Sequence, residues 1–184
     1  MEEGEGAFSE LATLNYSELS YRLQKFEQAL MGYETLQQIA KLDNNKLLAA
    51  TGIMNAAFKL KNYDLAIKNS QAVTKDFPKA AQTVKDGAQF ILAKCYMLTG
   101  DTKRGEQQLA SLAKKPKTAI GAEANYLLIK SAYDGGEFEK VENLVFKFSD
   151  SGSLQTYWLA KSFIILGDSY FDQNNMGQAE ATYK

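Results

Sequence analysis

The stretch "ILGDSYFDQNNMGQAEATYK", residues 165–184, reads as two helical patterns joined by a polar turn. An apolar helix runs into Asp172-Gln173-Asn174-Asn175, and a second pattern starts at Met176. Its centre, Asn-Asn-Met-Gly-Gln-Ala (174–179), is a polar pair, a large apolar residue, two more residues and a small one. Nearly the same order recurs in Gly-Glu-Phe-Glu-Lys-Val (136–141), Gly-Asp-Thr-Lys-Arg-Gly (100–105), Lys-Asn-Tyr-Asp-Leu-Ala (61–66) and Gln-Lys-Phe-Glu-Gln-Ala (24–29). The small residues Ala29, Ala66, Gly105, Val141 and Ala179 follow one another at intervals of 37, 39, 36 and 38. Self-similarity at a near-constant period of this size signals stacked supersecondary units.

The positions around each small residue are shared as well. Twelve and thirteen before it stand pairs such as Ile53-Met54, Leu92-Ala93 and Leu166-Gly167. Nine before it stand Ser20, Ala57, Tyr96, Ala132 and Tyr170, and four after it Tyr33, Ser70, Leu109, Val145 and Tyr183. Small residues where two backbones cross, with large ones between layers, describe a helix–turn–helix unit that stacks on its neighbours. The pattern predicts helix pairs near 8–22 and 26–40, 46–60 and 63–76, 80–98 and 102–114, 118–134 and 138–149, then 154–172 and 176 onward. The stretch "SDSGSL" (149–154) is the clearest loop between units.

Composition agrees and narrows the function. The chain is 45% hydrophobic, enough for a core, and holds only two helix breakers, Pro78 and Pro116. It has no histidine, which removes a His base, a His metal ligand and a Ser-His-Asp triad. A single cysteine, Cys95, excludes an internal disulfide and a thiolate metal site, and its place on an apolar helix face points to packing. No glycine-rich phosphate loop occurs. A formal charge of −1 gives no basic surface for nucleic acid, and no apolar run reaches membrane-spanning length. The expectation is a non-catalytic chain with no cofactor and no metal.

The register resembles that of the tetratricopeptide repeat. Leu166, Gly167, Tyr170, Ala179 and Tyr183 match its spacing in the last copy, and Pro78 and Pro116 stand at, or one short of, its closing proline. The period is two to five residues longer than the family's 34, which implies longer links between repeats. The first copy departs most, with Ser17 and Ser20 in place of Gly and Tyr; the third has Thr102 and Gly105 where an aromatic and Ala are usual. The resemblance implies an all-α superhelical solenoid of antiparallel helix pairs. It would form one domain over 1–184, with about five repeats near 8–42, 46–78, 80–116, 118–150 and 154–184. The last repeat is incomplete and lacks a polar cap, so the expectation is a piece of a longer repeat protein. The same uncapped end offers a route to self-association.

In this fold, first helices line a concave groove, at positions fifteen, eleven and eight before the small residue. Spaced by four and three, these share one helix face. The first set is Leu14, Thr51, Phe90, Tyr126 and Ile164; the middle set Glu18, Asn55, Lys94, Lys130 and Asp168; the last set Tyr21, Phe58, Met97, Tyr133 and Phe171. The implied groove carries an apolar ladder of Phe58, Phe90, Met97, Tyr126, Tyr133 and Phe171, with Lys94 and Lys130 to meet an acidic peptide and Asp168 near one end. Ordinary packing of the same aromatics against neighbouring helices is the competing reading. A clamp for a terminal carboxylate is disfavoured, since only Asn55 fits that subtype. Asp168 and Asp172, four apart, form a carboxylate pair with no further ligands in view.

The segment "KDFPKAAQTVKDGAQFILAKCYMLTGD" (75–101) is similar to repeats of bacterial envelope proteins, the outer-membrane assembly lipoproteins and the Tol–Pal coordinator among them. The stretches "ANYLLIKSAYDGGEFEKVE" and "AKSFIILGDSYFDQNNMGQAEATYK" resemble long envelope repeat proteins of the Bacteroides group. This implies a scaffold in the periplasm or cell envelope that binds a protein partner. Three alternatives remain: a cytoplasmic array, a spacer whose groove is filled by its own chain, and a regulatory segment of an enzyme.

Overall fold

The computed structural model describes residues 2–184, with side chains from Phe8 onward. Among these residues there are ten α-helices and no strand. They are α1 (Glu2–Arg22), α2 (Phe26–Ile39), α3 (Asp43–Lys59), α4 (Tyr63–Lys75), α5 (Gln82–Leu98), α6 (Thr102–Leu112), α7 (Ala119–Asp134), α8 (Phe138–Ser149), α9 (Thr156–Asp172) and α10 (Met176–Tyr183). Each pair falls where the repeat register puts it. Two helices start earlier than the periodicity indicates: α1 reaches back to Glu2 and α3 to Asp43. For α3 the cause is local, because Asp43 in the first turn favours the positive end of the helix dipole. The chain divides into two compact units, Met1–Gly100 with α1–α5 and Asp101–Lys184 with α6–α10.

All five turns within the helix pairs are built the same way. The residue five before the small position adopts a left-handed backbone: Gln24, Lys61 and Asn174 at φ 60°, Gly100 at 87° and Gly136 at 70°. In four of them the next amide closes a six-residue loop on the helix just ended: Lys25 N–H donates to Ser20 O, Asn62 to Ala57 O, Glu137 to Ala132 O and Asn175 to Tyr170 O, each at 2.9 Å. This satisfies carbonyls that a helix end otherwise leaves open. The following residue starts the second helix. Asn62, Asp101 and Asn175 cap it by accepting an amide hydrogen three residues on, while Lys25 and Glu137 make no such bond.

The small residues then sit at the crossings. Ala29, Ala66 and Val141 are fully buried and Ala179 nearly so. In the first unit Ala66 packs with Ala57 and Cys95, while Ala29 packs with Tyr33 and Ile53. Glu10 is also buried there, where its carboxylate accepts from the Lys41 amide (3.1 Å) and the Asn45 side chain (2.6 Å), tying α1 to the start of α3. The Asn45 bond is the main reason its pKa is lowered. In the second unit one core gathers Ile129, Ala132, Val141, Val145, Phe148, Leu166 and Tyr170.

Two outcomes test this register. Ala66→Leu forces three extra carbons into a closed crossing and should destabilise by about 1–3 kcal/mol. Val141→Leu adds one carbon at the matching position and should cost less; equal tolerance in urea denaturation would contradict the assignment. Lys61→Gly should raise stability, because a side chain in the left-handed region costs about 1–2 kcal/mol. The reverse change, Gly136→Ala, should lower it, and a melting temperature unmoved by both would show that these turns are unstrained.

Candidate interaction surface

The surface is built on first helices, whose inner faces are consumed by the core. In the second unit, α7 and α9 lie side by side. Tyr126 of α7 meets Trp158 of α9 with ring centroids 5.3 Å apart, and Tyr133 donates its hydroxyl to Asp172 at 2.7 Å. The carboxylate beside that hydroxyl pushes the Tyr133 pKa up to about 12. One residue row of α9, Tyr157, Lys161, Ile164, Asp168 and Phe171, faces outward at spacings of four and three. Tyr157, Ile164 and Phe171 are each more than half exposed.

Charges on this face are already engaged. The Lys161 ammonium lies 4.5 Å from the Tyr126 ring centre, 5.4 Å from Tyr157 and 5.5 Å from Trp158. The Tyr126 hydroxyl beside it raises its pKa. Lys130 pairs with Asp134 one turn along its own helix, at 2.6 Å. Asp168 accepts the Tyr183 hydroxyl at 2.5 Å. The Tyr183 ring lies across Gly167, where any β-carbon would collide with it, so the glycine of the Leu166-Gly167 pair has a steric cause. The two aspartates expected as a bare pair are thus each held by a phenol.

In the first unit, Lys94 stands over two rings, 5.0 Å from Phe90 and 5.7 Å from Phe58. Phe90 is buried, while Phe58 and Met97 are half-buried. Thr51, Asn55 and Phe90 help line a cavity of about 310 Å³ between α3 and α5. The ladder aromatics also brace their own turns. Tyr21 packs on Phe26, Phe58 on Tyr63 and Tyr133 on Phe138, with centroids 5.3, 6.2 and 6.3 Å apart. Each is therefore core on one edge and surface on the other.

Tyr157, Trp158 and Lys161 are absent from the groove read in sequence. The signal was present, since the four-and-three spacing continues one turn before Ile164 to Lys161 and Tyr157. Cys95 is fully buried, and burial pushes its thiol up to about 11, so it stays protonated. Among the described residues no group of three His, Cys, Asp or Glu side chains could hold a metal ion, and no helix is long and apolar enough to cross a membrane.

No family model matches the chain, and no curated protein matches it. Solved structures do. A candidate kinesin light chain from Podosopora anserina, with nearly identical TPR-like repeats, superposes with a TM-score of 0.67 at 12% identity, covering 94% of this chain and 90% of that one. A single-residue variant of it gives the same TM-score and coverage at 13% identity. Ten helices in five pairs of one register, matched by that likeness, give the chain an all-α tetratricopeptide-like repeat fold.

Proposed function

We propose that this chain is a scaffold that takes a peptide segment of a protein partner on its first-helix faces. The observation that carries the proposal is the face of α7 and α9. Tyr157, Ile164 and Phe171 offer exposed apolar surface there, beside rings whose polar ends are already bonded. Rigid aromatic anchors gain contact area at small entropic cost, which suits a groove for apolar side chains. Lys161 and Lys130 give the same face two ammonium groups for an acidic flank, and in the first unit Lys94 stands beside Phe58, Phe90 and Met97 in the same role. The similarity of residues 75–101 to bacterial envelope repeats supports a site of action in the periplasm or envelope, with the whole chain working as one domain of a longer protein.

The test is a random peptide library displayed against the chain, followed by titration calorimetry on enriched sequences. Enriched peptides should share apolar anchors next to acidic residues. Ile164→Ser with Phe171→Ser should weaken them about 30-fold, the equivalent of roughly 2 kcal/mol, with the melting temperature unchanged. Lys130→Glu with Lys161→Glu should weaken binding further and flatten its salt dependence. A library that yields no binder, or binders indifferent to both pairs of changes, would overturn the proposal and favour a spacer.

A further inference from the structure

The first helix carries an apolar face that, among the described residues, nothing in its unit covers. Phe8 is 75% exposed, Leu11 55%, Tyr16 54%, Leu19 57% and Leu23 57%, and Met31 of α2 beside them is 68% exposed. At about 200 Å² for a fully exposed large side chain, these six present on the order of 700 Å². That approaches the roughly 800 Å² each partner contributes to a standard stable interface. An isolated apolar patch of this size marks an interaction site.

The repeat register identifies what this face corresponds to. Ala12, Tyr16 and Leu19 stand seventeen, thirteen and ten before Ala29. In α3 the matching residues are Ala49, Ile53 and Ala56, all buried, with Ala49 against Leu36 and Ala40, and Ile53 against Tyr33 and Ala29. So these positions are where a first helix receives the second helix of the preceding repeat. The last of them is small in every later repeat: Ala56, Cys95, Ser131 and Ser169. In α1 it is Leu19, and Tyr16 replaces the Ile or Leu of the others. A repeat helix seated at the usual distance would collide with both side chains, so the face is not shaped for another unit of the stack.

It is shaped to meet itself. Residues 8, 12, 15 and 19 follow at spacings of four, three and four, the seam of a paired helix. Laid antiparallel on a second copy about a two-fold axis between Asn15 and Tyr16, Phe8 faces Leu23, and the small Ala12 faces the large Leu19, twice over. Asn15, exposed within the apolar strip, comes opposite Tyr16 and supplies the partner that a buried phenol requires. Self-complementarity of this kind is what an isologous pair needs. We infer that α1 is a homodimerisation helix, pairing two copies antiparallel through Phe8, Ala12, Asn15, Tyr16, Leu19 and Leu23.

Sedimentation equilibrium of the chain across a concentration series should show a reversible dimer. Leu19→Lys, at an exposed position, should raise the dimer dissociation constant at least 100-fold while the circular-dichroism spectrum stays that of the folded helical chain. Asn15→Cys lies beside the axis and should form a disulfide-linked dimer on mild oxidation, whereas Phe8→Cys, far from it, should not; the only native cysteine, Cys95, is buried. A monomer at every concentration would overturn the inference. So would a dimer that survives Leu19→Lys but is lost with Tyr183→Lys, which would assign pairing to the opposite end of the chain.

Discussion

Everything in this chain depends on how closely two helices can approach after a three-residue turn. The turn is fixed by a left-handed residue and a capping residue, which set where the second helix begins. Five residues after the left-handed one, the facing side chain must be small, and Ala29, Ala66, Gly105, Val141 and Ala179 meet that demand. The turn costs strain in two copies, where Gln24 and Lys61 occupy a conformation that glycine adopts freely. Both persist because the closing hydrogen bonds and the buried crossing act on the same few residues. Stability at such a site comes from packing and backbone satisfaction together.

That constraint also decides which residues are left for partners. In the repeats after the first, positions seventeen, thirteen, ten and nine before the small residue are taken by contacts with neighbouring helices. Positions fifteen, eleven and eight are the ones that remain on the far side of a first helix. The division is incomplete. Phe90 lies on the outward row and is still buried, and the aromatics eight before the small residue lean on the first residue of the second helix. A ring so braced loses little freedom on binding, and its removal disturbs the turn beneath it. Exposed members of the row, such as Ile164 and Phe171, carry no such double duty.

The fold was legible because its determinants are local and periodic. Each repeat spells its own turn and crossing, so five weak copies reinforce one another, and the helix limits follow to within a few residues apart from the early starts of α1 and α3. The surface chemistry was legible only in part. The Lys130–Asp134 pair is four residues apart on one helix and could be read from spacing alone. The seat of Lys94 over Phe58 needs the distance between two helices, and so does that of Lys161 over Tyr126, which a one-dimensional pattern does not hold. The phenol contacts of Asp168 and Asp172 come from residues 15 and 39 positions away. Tyr183 illustrates the limit: its register predicted an inward side chain, and the ring is half out, laid over Gly167.

The magnitudes say which of these surface contacts would give way to a ligand. An exposed cation–π contact is worth roughly 0.5–1 kcal/mol, and an exposed ion pair of the Lys130–Asp134 kind roughly 0.3–0.5 kcal/mol. A hydrogen bond to a charged group is worth about 1.5–3 kcal/mol. A carboxylate arriving at Lys161 or Lys130 would form an exposed ion pair of the same weak class, so neither lysine is held strongly against exchange. Movement of the Lys161 ammonium away from these rings would uncover the faces of Tyr126, Tyr157 and Trp158 as apolar surface. The Tyr133 bond to Asp172 belongs to the stronger class, so that ring keeps its orientation. Such a face holds the Tyr133 ring by the stronger bond and covers the rings of Tyr126, Tyr157 and Trp158 by the weaker one, while Ile164 and Phe171 stay open to solvent.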